Sequence, residues 1–306
     1  MKKLIDDYGR VVKGLRISLT QRCNLNCIYC HHEGEGASTT EMSPGEIIRI
    51  LKVASSLGIS RVKYTGGEPL LRADLAEIIE GTLSAGISDV AITTNGMLLK
   101  RWANRLIDAG LRHLNLSLPS IKPEVYNSIT GGSLEVVIEG VKEARSRGLE
   151  IKLNTVIMKG INVSDIDSLM DFAISNGCSL QIIELEDLGI DHPLFERLHQ
   201  DLSAIEEKIS KSALHVLVRE DMNRRARYRL NSLDVEVVRP INNPAFCSRC
   251  SRLRLTSNGM LKPCLMRSDN LVDLIGPIRM GCPDSVIKDL FLQTVEHRAP
   301  YYASIS

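Results

Sequence analysis

Six of the eight cysteines fall into two tight groups, and cysteine thiolates are the ligands of iron–sulfur clusters and of many zinc sites. The first group, CNLNCIYC, contains Cys23, Cys27 and Cys30 in the spacing C-x3-C-x2-C. Three thiolates can hold three irons of a 4Fe–4S cluster and leave the fourth iron open to a small molecule. The alternative is a structural zinc site, which normally has four ligands, with His31 or His32 as the fourth.

The second group has the spacing C-x2-C-x13-C and consists of Cys247, Cys250 and Cys264. It contains one C-x2-C pair where a zinc ribbon has two, so we interpret it as a second three-ligand cluster that offers its open iron to the substrate. A metal site with Cys282 as fourth ligand is the alternative. Clustered thiols in a reducing cytosol are more often metal ligands than disulfides. We interpret Cys178 and Cys282 as packing residues.

Two arginines follow the second cysteine group. Arg252 and Arg254 lie two residues apart in the segment SRLRL, and on a strand such residues point to the same side. Guanidinium groups bind phosphate oxygens bidentately, so the segment predicts a polyphosphate site beside the second cluster. The alternative is a strand face exposed to solvent.

A glycine pair stands at the end of the second predicted strand, in the segment TGGEP at 65–69. Gly66 and Gly67 have no side chains and allow the backbone to approach a ligand closely. Glu68 can accept a hydrogen bond from a cationic amine. Gly-Gly and Pro are also ordinary turn residues, but the place of this segment after a strand and beyond the first cysteines favours a ligand site.

Six β-rich runs alternate with amphipathic helical stretches, and a ligand site is expected at the carboxyl ends of such parallel strands. The runs lie at 15–19, 61–65, 89–94, 112–118, 150–157 and 179–185. Six β–α repeats predict an α/β fold, an open and partial (βα)6 TIM-like barrel with helices outside a parallel sheet. The alternation stops near residue 186. We therefore predict a barrel core over 1–220 and a C-terminal auxiliary-cluster and substrate-binding region over 221–306 that covers the barrel mouth.

The composition is that of an ordinary globular protein, with 43% hydrophobic and 25% charged residues. Its formal net charge of +1 argues against a bulk electrostatic partner such as nucleic acid or an anionic membrane. The start of the chain lacks the apolar stretch of a secretory signal, and no run approaches the roughly 20 apolar residues of a membrane helix. We therefore expect a cytoplasmic protein with neither nucleic acid nor membrane as a partner.

The first cysteine group, with an aromatic residue before its last cysteine, and the TGGEP segment together resemble the radical S-adenosylmethionine (SAM) superfamily. A closer likeness covers nearly the whole chain. The segments LRISLTQRCNLNCIYC, VKYTGGEPLLR, ITTNG, LNLSL, YNSITGG, IKLNTVIMKGIN and IIELE recur in order in the GTP 3′,8-cyclase family of molybdenum cofactor biosynthesis.

This resemblance implies a site, residue by residue. The first cluster is held by Cys23, Cys27 and Cys30, and the second by Cys247, Cys250 and Cys264. SAM binds at Tyr29, Gly67 and Ser117. GTP binds at Arg16, Lys63, Thr93, Lys152, Arg252, Leu253 and Arg254.

The resemblance also implies the reaction and its participants. The cofactors are SAM and two 4Fe–4S clusters, one of which binds SAM and the other GTP. A 5′-deoxyadenosyl radical abstracts H3′ of GTP, and the product is 3′,8-cyclo-7,8-dihydro-GTP, the first intermediate of molybdopterin synthesis. The implied partners are an electron donor such as a ferredoxin or flavodoxin, the downstream cyclic pyranopterin monophosphate synthase and, in a homodimer, a second copy of the chain.

The chain departs from many bacterial members of the family at several positions. Gln181 and Lys63 stand where those members have arginines, Glu186 stands where they have a methionine, and HRAPYYASIS replaces a C-terminal double glycine. Two rival functions stay open at this point. One is a different radical SAM enzyme with an auxiliary cluster, such as a peptide-modifying enzyme, and the other is a non-catalytic binding module stabilised by metal.

Overall fold

The computed structural model describes residues 4–36, 38, 40–219, 222–241 and 243–300. The end of the chain at 301–306, which contains most of the segment in place of the family's double glycine, lies outside these residues. None of the described helices is long and apolar enough to cross a membrane.

The described residues form one sheet of twelve strands. In chain order the strands are β1 (Gly14–Ser18), β2 (Arg61–Thr65), β3 (Asp89–Thr94), β4 (His113–Ser117), β5 (Glu150–Ile157), β6 (Ser179–Glu184), β7 (His215–Val218), β8 (Ala226–Leu230), β9 (Leu233–Val238), β10 (Arg252–Leu255), β11 (Met260–Lys262) and β12 (Val272–Asp273). Their order across the sheet is β12-β11-β10-β1-β2-β3-β4-β5-β6-β9-β8-β7.

The helices connect these strands. They are α1 (Pro44–Ser56), α2 (Leu75–Ser84), α3 (Leu99–Asp108), α4 (Pro123–Thr130), α5 (Leu134–Ser146), α6 (Ile166–Ser175), α7 (His192–Leu198), α8 (Ser203–Lys211), α9 (Pro244–Ser248), α10 (Ile275–Arg279) and α11 (Asp284–Glu296). Helix α1 begins where its sequence predicts. The hydroxyl of Ser43 accepts a bond from the backbone N–H of Glu46, and the Glu46 carboxylate accepts one from that of Ser43.

Strands β1 to β6 are parallel neighbours in chain order, which confirms the partial α/β barrel. The C-terminal part extends this parallel sheet at both edges, because β9 pairs with β6 and β10 pairs with β1. The sequence predicts strand character for the β10 segment but does not predict the place of either strand in the sheet. The division at residue 220 stays a prediction, and the sheet runs through both parts.

The two faces of the parallel strands differ in polarity, as alternation along a strand requires. Residues such as Ile17, Tyr64 and Ile92 are fully buried in the core. The alternate residues line a cavity of about 1170 Å³ with polar and charged side chains. The register places Arg254 beside Arg16 and Arg16 beside Lys63, so three cations form a row across β10, β1 and β2.

Candidate active site

The first cysteine group lies in the loop after β1. Two backbone hydrogen bonds, of 3.0 and 3.2 Å, join this loop to the end of α4. Cys23, Cys27 and Cys30 all line the cavity. Burial and the neighbouring Cys30 and Cys23 raise the pKa of Cys27 to about 12, since crowded thiolates repel one another unless a cation joins them. This donor set fits a cationic cluster that takes each thiolate on a different iron.

The glycine pair after β2 permits a close crossing of two loops. A Cβ on Gly67 would lie 2.2 Å from the carbonyl oxygen of Arg22, and one on Gly66 would lie 2.4 Å from that of Thr20. Gly66 also has a φ of 142°, which other residues rarely adopt. The two positions therefore require glycine, and both residues line the cavity beside the first cysteines.

Glu68 does not have the ligand role that the sequence suggests. Its side chain is fully buried and accepts hydrogen bonds from Thr94 Oγ1 (2.7 Å), the Asn95 N–H (2.8 Å) and the Leu70 N–H (2.9 Å). Both oxygens are thus used to join the loop after β2 to the loop after β3. The interpretation of Glu68 as an acceptor for a bound amine is wrong, because its carboxylate positions the segment from inside the protein.

The second cysteine group reaches the same cavity. Cys247, Cys250 and Cys264 line it, whereas Cys282 is absent from its described lining. Burial alone would raise the pKa of Cys250, but Arg252, Arg298 and Arg10 outweigh burial and lower that pKa to about 7. A thiol that ionises near neutral pH is suited to ligate a metal cluster.

Arg252 and Arg254 are half-buried on the inner face of β10, so the alternative of a solvated strand face is wrong. Arg252 donates to Asn223 Oδ1 at 2.7 Å. Arg254 forms an ion pair with Glu33, a carboxylate that also lies 3.7 Å from Arg16 Nη1 and accepts from Thr65 Oγ1 at 2.8 Å. No local sequence pattern points to Glu33, which follows the first cluster loop and holds two of the predicted GTP residues.

A second buried carboxylate holds a second group of cavity-lining cations, here called the second wall. The first wall is the row of Arg254, Arg16 and Lys63. Glu236 on β9 is 2% exposed, and four cationic nitrogens lie within 3.6 Å of its carboxylate. They belong to Lys152 (3.1 Å), Arg219 (3.2 Å), Arg225 (3.4 Å) and Arg227 (3.6 Å). Burial alone would raise the pKa of Glu236, but these cations lower it to about 2.

The structure brings together every site residue that the sequence predicts except Leu253, which is fully buried in the core beside the cavity. The cavity contains two three-cysteine groups and two walls of cations. Similarity to known proteins identifies the family that has this arrangement. A family model described as "Radical SAM superfamily" matches residues 17–173, and a second model, described as "Molybdenum Cofactor Synthesis C", matches residues 178–304.

Two archaeal relatives show the family. The chain is 43% identical over 302 residues to the "Probable GTP 3′,8-cyclase" of Methanococcus aeolicus, with 97% of this chain and 99% of the relative covered. It is 42% identical over 303 residues to the protein of the same name from Methanocaldococcus jannaschii, with 97% and 98% covered. The chain belongs to the GTP 3′,8-cyclase family. The predicted resemblance is confirmed, and with it a radical SAM enzyme that uses 4Fe–4S clusters.

The fold also resembles that of a solved structure, Streptococcus suis SuiB bound to S-adenosylmethionine. The TM-score is 0.67 at 19% identity, over 84% of this chain and 61% of that chain. At this identity the likeness shows the fold alone.

Two of the departures from bacterial members of the family line the cavity, Gln181 in the second wall and Lys63 in the row with Arg16 and Arg254. Gln181, in place of an arginine, donates a hydrogen bond to the Glu236 carboxylate at 2.8 Å, as the cations of the second wall surround the same group. Lys63, also in place of an arginine, has a pKa well below its usual value because of burial and the nearby cations Arg16, Arg225 and Lys152. Glu186 lines the cavity on the Arg16 side.

The remaining predicted positions line the same cavity. Tyr29 forms a side-chain hydrogen bond with Cys27, while Thr93 and Ser117 lie at the carboxyl ends of β3 and β4. Cys178 is 5% exposed and packs in the hydrophobic core, as predicted. It is also one of the residues that line the cavity. The backbone carbonyl of Cys282 accepts from Arg49 between α1 and α11.

Proposed function

We propose that this protein converts GTP to 3′,8-cyclo-7,8-dihydro-GTP, the first step of molybdenum cofactor synthesis, in the cavity that the predicted site residues other than Leu253 line. The observation that carries the proposal is the meeting of both cysteine groups and the cationic strand faces in one cavity. When bound, SAM and the first cluster supply the 5′-deoxyadenosyl radical that abstracts H3′ from GTP. The cavity is large enough for a nucleotide, since ligand sites have volumes of about 300–1,000 Å³.

The chain's own residues bind and orient the substrate. Arg16 is suited to the triphosphate, because its Nε is buried and has no hydrogen-bond partner among the described residues. Arg254 and Lys63 flank Arg16 in the same cationic row. Arg252 lies two residues before Arg254 on β10, and Lys152 lies further along the sheet. The open iron of the second cluster is the proposed ligand position for guanine.

A nucleotide fixed by its base and by its phosphates leaves the ribose between them, near the first cluster. Positioning of this kind supplies a large part of a catalytic rate. Cavity walls formed by packed strands also exclude water and stray hydrogen donors from the radical. Tyr29, Gly67 and Ser117 are the proposed SAM contacts on the first-cluster side.

Further participants belong to the proposal. The reaction needs an electron donor, for which a ferredoxin or flavodoxin is suited, and its product is passed to the cyclic pyranopterin monophosphate synthase. We propose the cytoplasm as the location and a homodimer as an assembly to test by light scattering.

The test is turnover of GTP deuterated at C3′ by anaerobically reconstituted protein with SAM and dithionite. We expect the cyclic product together with deuterium in 5′-deoxyadenosine. SAM cleavage without transfer from GTP would contradict the proposal and favour a peptide-modifying radical enzyme. Zinc in place of iron, with no SAM cleavage, would favour the binding module.

A further inference from the structure

Three buried charged residues from the two ends of the chain form a network outside the proposed substrate contacts. Their side chains are almost inaccessible, at 0% exposure for Asp6, 6% for Arg10 and 1% for Arg298. One oxygen of Asp6 lies 2.8 Å from Arg10 Nε and 3.0 Å from Arg298 Nη1. Arg298 also donates to the backbone carbonyl of Arg10 at 3.2 Å. The carboxylate therefore holds two guanidinium groups side by side.

Both arginines reach the second cysteine group. Arg10 Nη1 donates to the carbonyl oxygen of Cys247 at 3.2 Å, and Arg298 Nη2 donates to that of Cys250 at 2.6 Å. These two carbonyls belong to the C-x2-C turn, in which the Cys250 N–H donates to Cys247 at 3.1 Å. The network thus fixes the ends of the turn that carries two of the three thiols.

One donor of the network has no acceptor in the part of the chain that the structure describes. Arg10 Nη2 is buried and has no hydrogen-bond partner among the described residues. An unsatisfied buried guanidinium N–H is costly and calls for a polar acceptor. Arg10 and Arg298 both line the cavity at the cysteines, where a cluster would supply sulfur acceptors and negative charge.

We propose that Asp6, Arg10 and Arg298 are positioning residues for the second cluster, which secure its C-x2-C turn and favour its reduced state. The inference rests on the assignment of that cluster to Cys247, Cys250 and Cys264. Hydrogen bonds, nearby charge and solvent exposure set the potential of an iron–sulfur cluster. Two cations held beside it stabilise the more negative, reduced form and therefore raise its reduction potential.

The test removes the first cluster so that the second can be observed alone. In the full-length chain with Cys23, Cys27 and Cys30 changed to Ala, we expect about four irons from one 4Fe–4S cluster. Adding Arg298→Ala should shift the midpoint potential downward in an anaerobic electron paramagnetic resonance titration. It should also speed loss of iron to a chelator by at least threefold.

Arg298→Lys separates charge from hydrogen bonding. Lysine keeps the cation but lacks the planar fork that reaches several acceptors together. We therefore expect this variant to recover most of the potential while still losing iron faster. If Arg298→Ala does not fold, an unchanged rate of iron loss and an unchanged potential in Arg298→Lys overturn the proposal.

Arg49→Ala is the matched control. Arg49 also joins a cysteine carbonyl, that of Cys282, to a carboxylate, Asp284 at 3.0 Å, but it does so away from the cavity. It should change neither the potential nor the iron loss. Equal behaviour of Arg298→Ala and Arg49→Ala would overturn the proposal, because the network would then affect neither the potential nor the retention of the cluster. Absence of iron from the triple-cysteine background would instead overturn the cluster assignment itself.

Discussion

Buried carboxylates decide where the cations of this cavity are held. Glu33 lies between Arg16 and Arg254, and burial of its carboxylate is more than offset by these two arginines, which hold its pKa below the usual range. Its backbone φ of 54° is uncommon for a residue other than glycine. A strained, buried residue of this kind persists only where its surroundings fix it, here through Thr65 and the arginines.

Replacing Arg254 with Ala should weaken GTP binding by about tenfold to a hundredfold, because a charge-assisted contact to phosphate contributes roughly 1.5–3 kcal/mol. Arg254→Lys should recover part of the loss. Anaerobic equilibrium binding gives the measurement, and guanosine, which lacks phosphates, should be nearly indifferent to the change. Arg147, an exposed arginine paired with Glu143 on α5, supplies the control Arg147→Ala. Equal GTP affinity in Arg254→Ala and wild type would remove Arg254 from the phosphate site.

Replacing Glu236 with Gln should destabilise the fold by about 3 kcal/mol at pH 7, because buried cations lose their counter-charge. The pKa of Glu236 is lowered to about 2, so the carboxylate stabilises the protein above the ordinary glutamate pKa and loses this effect as the pH falls toward 2. In denaturant melts, the difference in unfolding free energy between the two proteins should therefore become smaller between pH 5 and pH 3. Asp234→Asn, which removes the more exposed 2.9 Å pair with Arg229, should cost less than about 1 kcal/mol. A constant difference across that pH range would contradict the charge argument.

At the scale of elements, the carboxyl ends of β2 and β3 are held together by one buried side chain, that of Glu68. Glu68 joins the loops after β2 and β3, and burial raises its pKa to about 7 against three hydrogen bonds that lower it. A raised pKa in the folded state means that the carboxyl contributes stability below pH 4.5 and loses it as the pH rises through about 7.

Glu68→Gln should remove this pH dependence. Relative to the variant, wild type should lose about 3 kcal/mol of unfolding free energy between pH 4.5 and pH 7.5, the equivalent of the pKa shift. Parallel denaturant titrations at several pH values measure the difference. Glu135, exposed at the start of α5, gives the control Glu135→Gln, which should follow wild type. A wild-type curve that rises relative to Glu68→Gln over the same range would show that the hydrogen bonds outweigh burial.

The elements were the part most readily predicted from the sequence. The six strands β1 to β6 lie within one residue of their predicted bounds, since each is a short β-rich run between amphipathic helices. After residue 186, where the predicted alternation stops, the chain contains the short helix α7. The positions of β9 and β10 beside β6 and β1 were not predictable, because long-range pairing is not encoded in local periodicity.

The site residues also fall into two classes, those that a local sequence pattern predicts and those that it does not. Cysteine spacing, the glycine pair and the arginines of β10 are local patterns, so sequence alone could propose them. Glu33 and Glu236 carry no such pattern, and their roles appear only when distant strands place arginines around them. Glu68 misleads because a carboxylate beside two glycines looks available, whereas the fold buries it completely.

In the whole molecule, the C-terminal part contributes to the barrel and to the cavity at once. Strand β10 lies parallel to β1, so Cys247 and Cys250, just before β10, lie at the amino end of β1, whereas the loop with the first cysteine group follows its carboxyl end. Both groups nevertheless line the same cavity. Separate segments therefore supply two clusters to one cavity. Each can be removed without removing the other, provided that the sheet itself stays intact.

Iron content and SAM cleavage should separate in paired variants. Wild type should bind about eight irons, and replacing either cysteine group with Ala should leave about four. Loss of Cys23, Cys27 and Cys30 should abolish 5′-deoxyadenosine formation, because no SAM-binding cluster remains. Loss of Cys247, Cys250 and Cys264 should preserve that formation but end GTP cyclisation.

The isolated cysteine supplies the control for this experiment. Cys282 is outside the described cavity lining, so Cys282→Ala should keep about eight irons and normal turnover. Iron analysis and product formation are measured on the same anaerobic samples, so that a lost activity can be assigned to a lost cluster. Loss of all iron from either triple variant would mean that the clusters assemble as one cooperative unit. Normal cyclisation without the second group would leave the cationic walls as the sole binding determinants of GTP, and guanine would have to be held by protein groups alone.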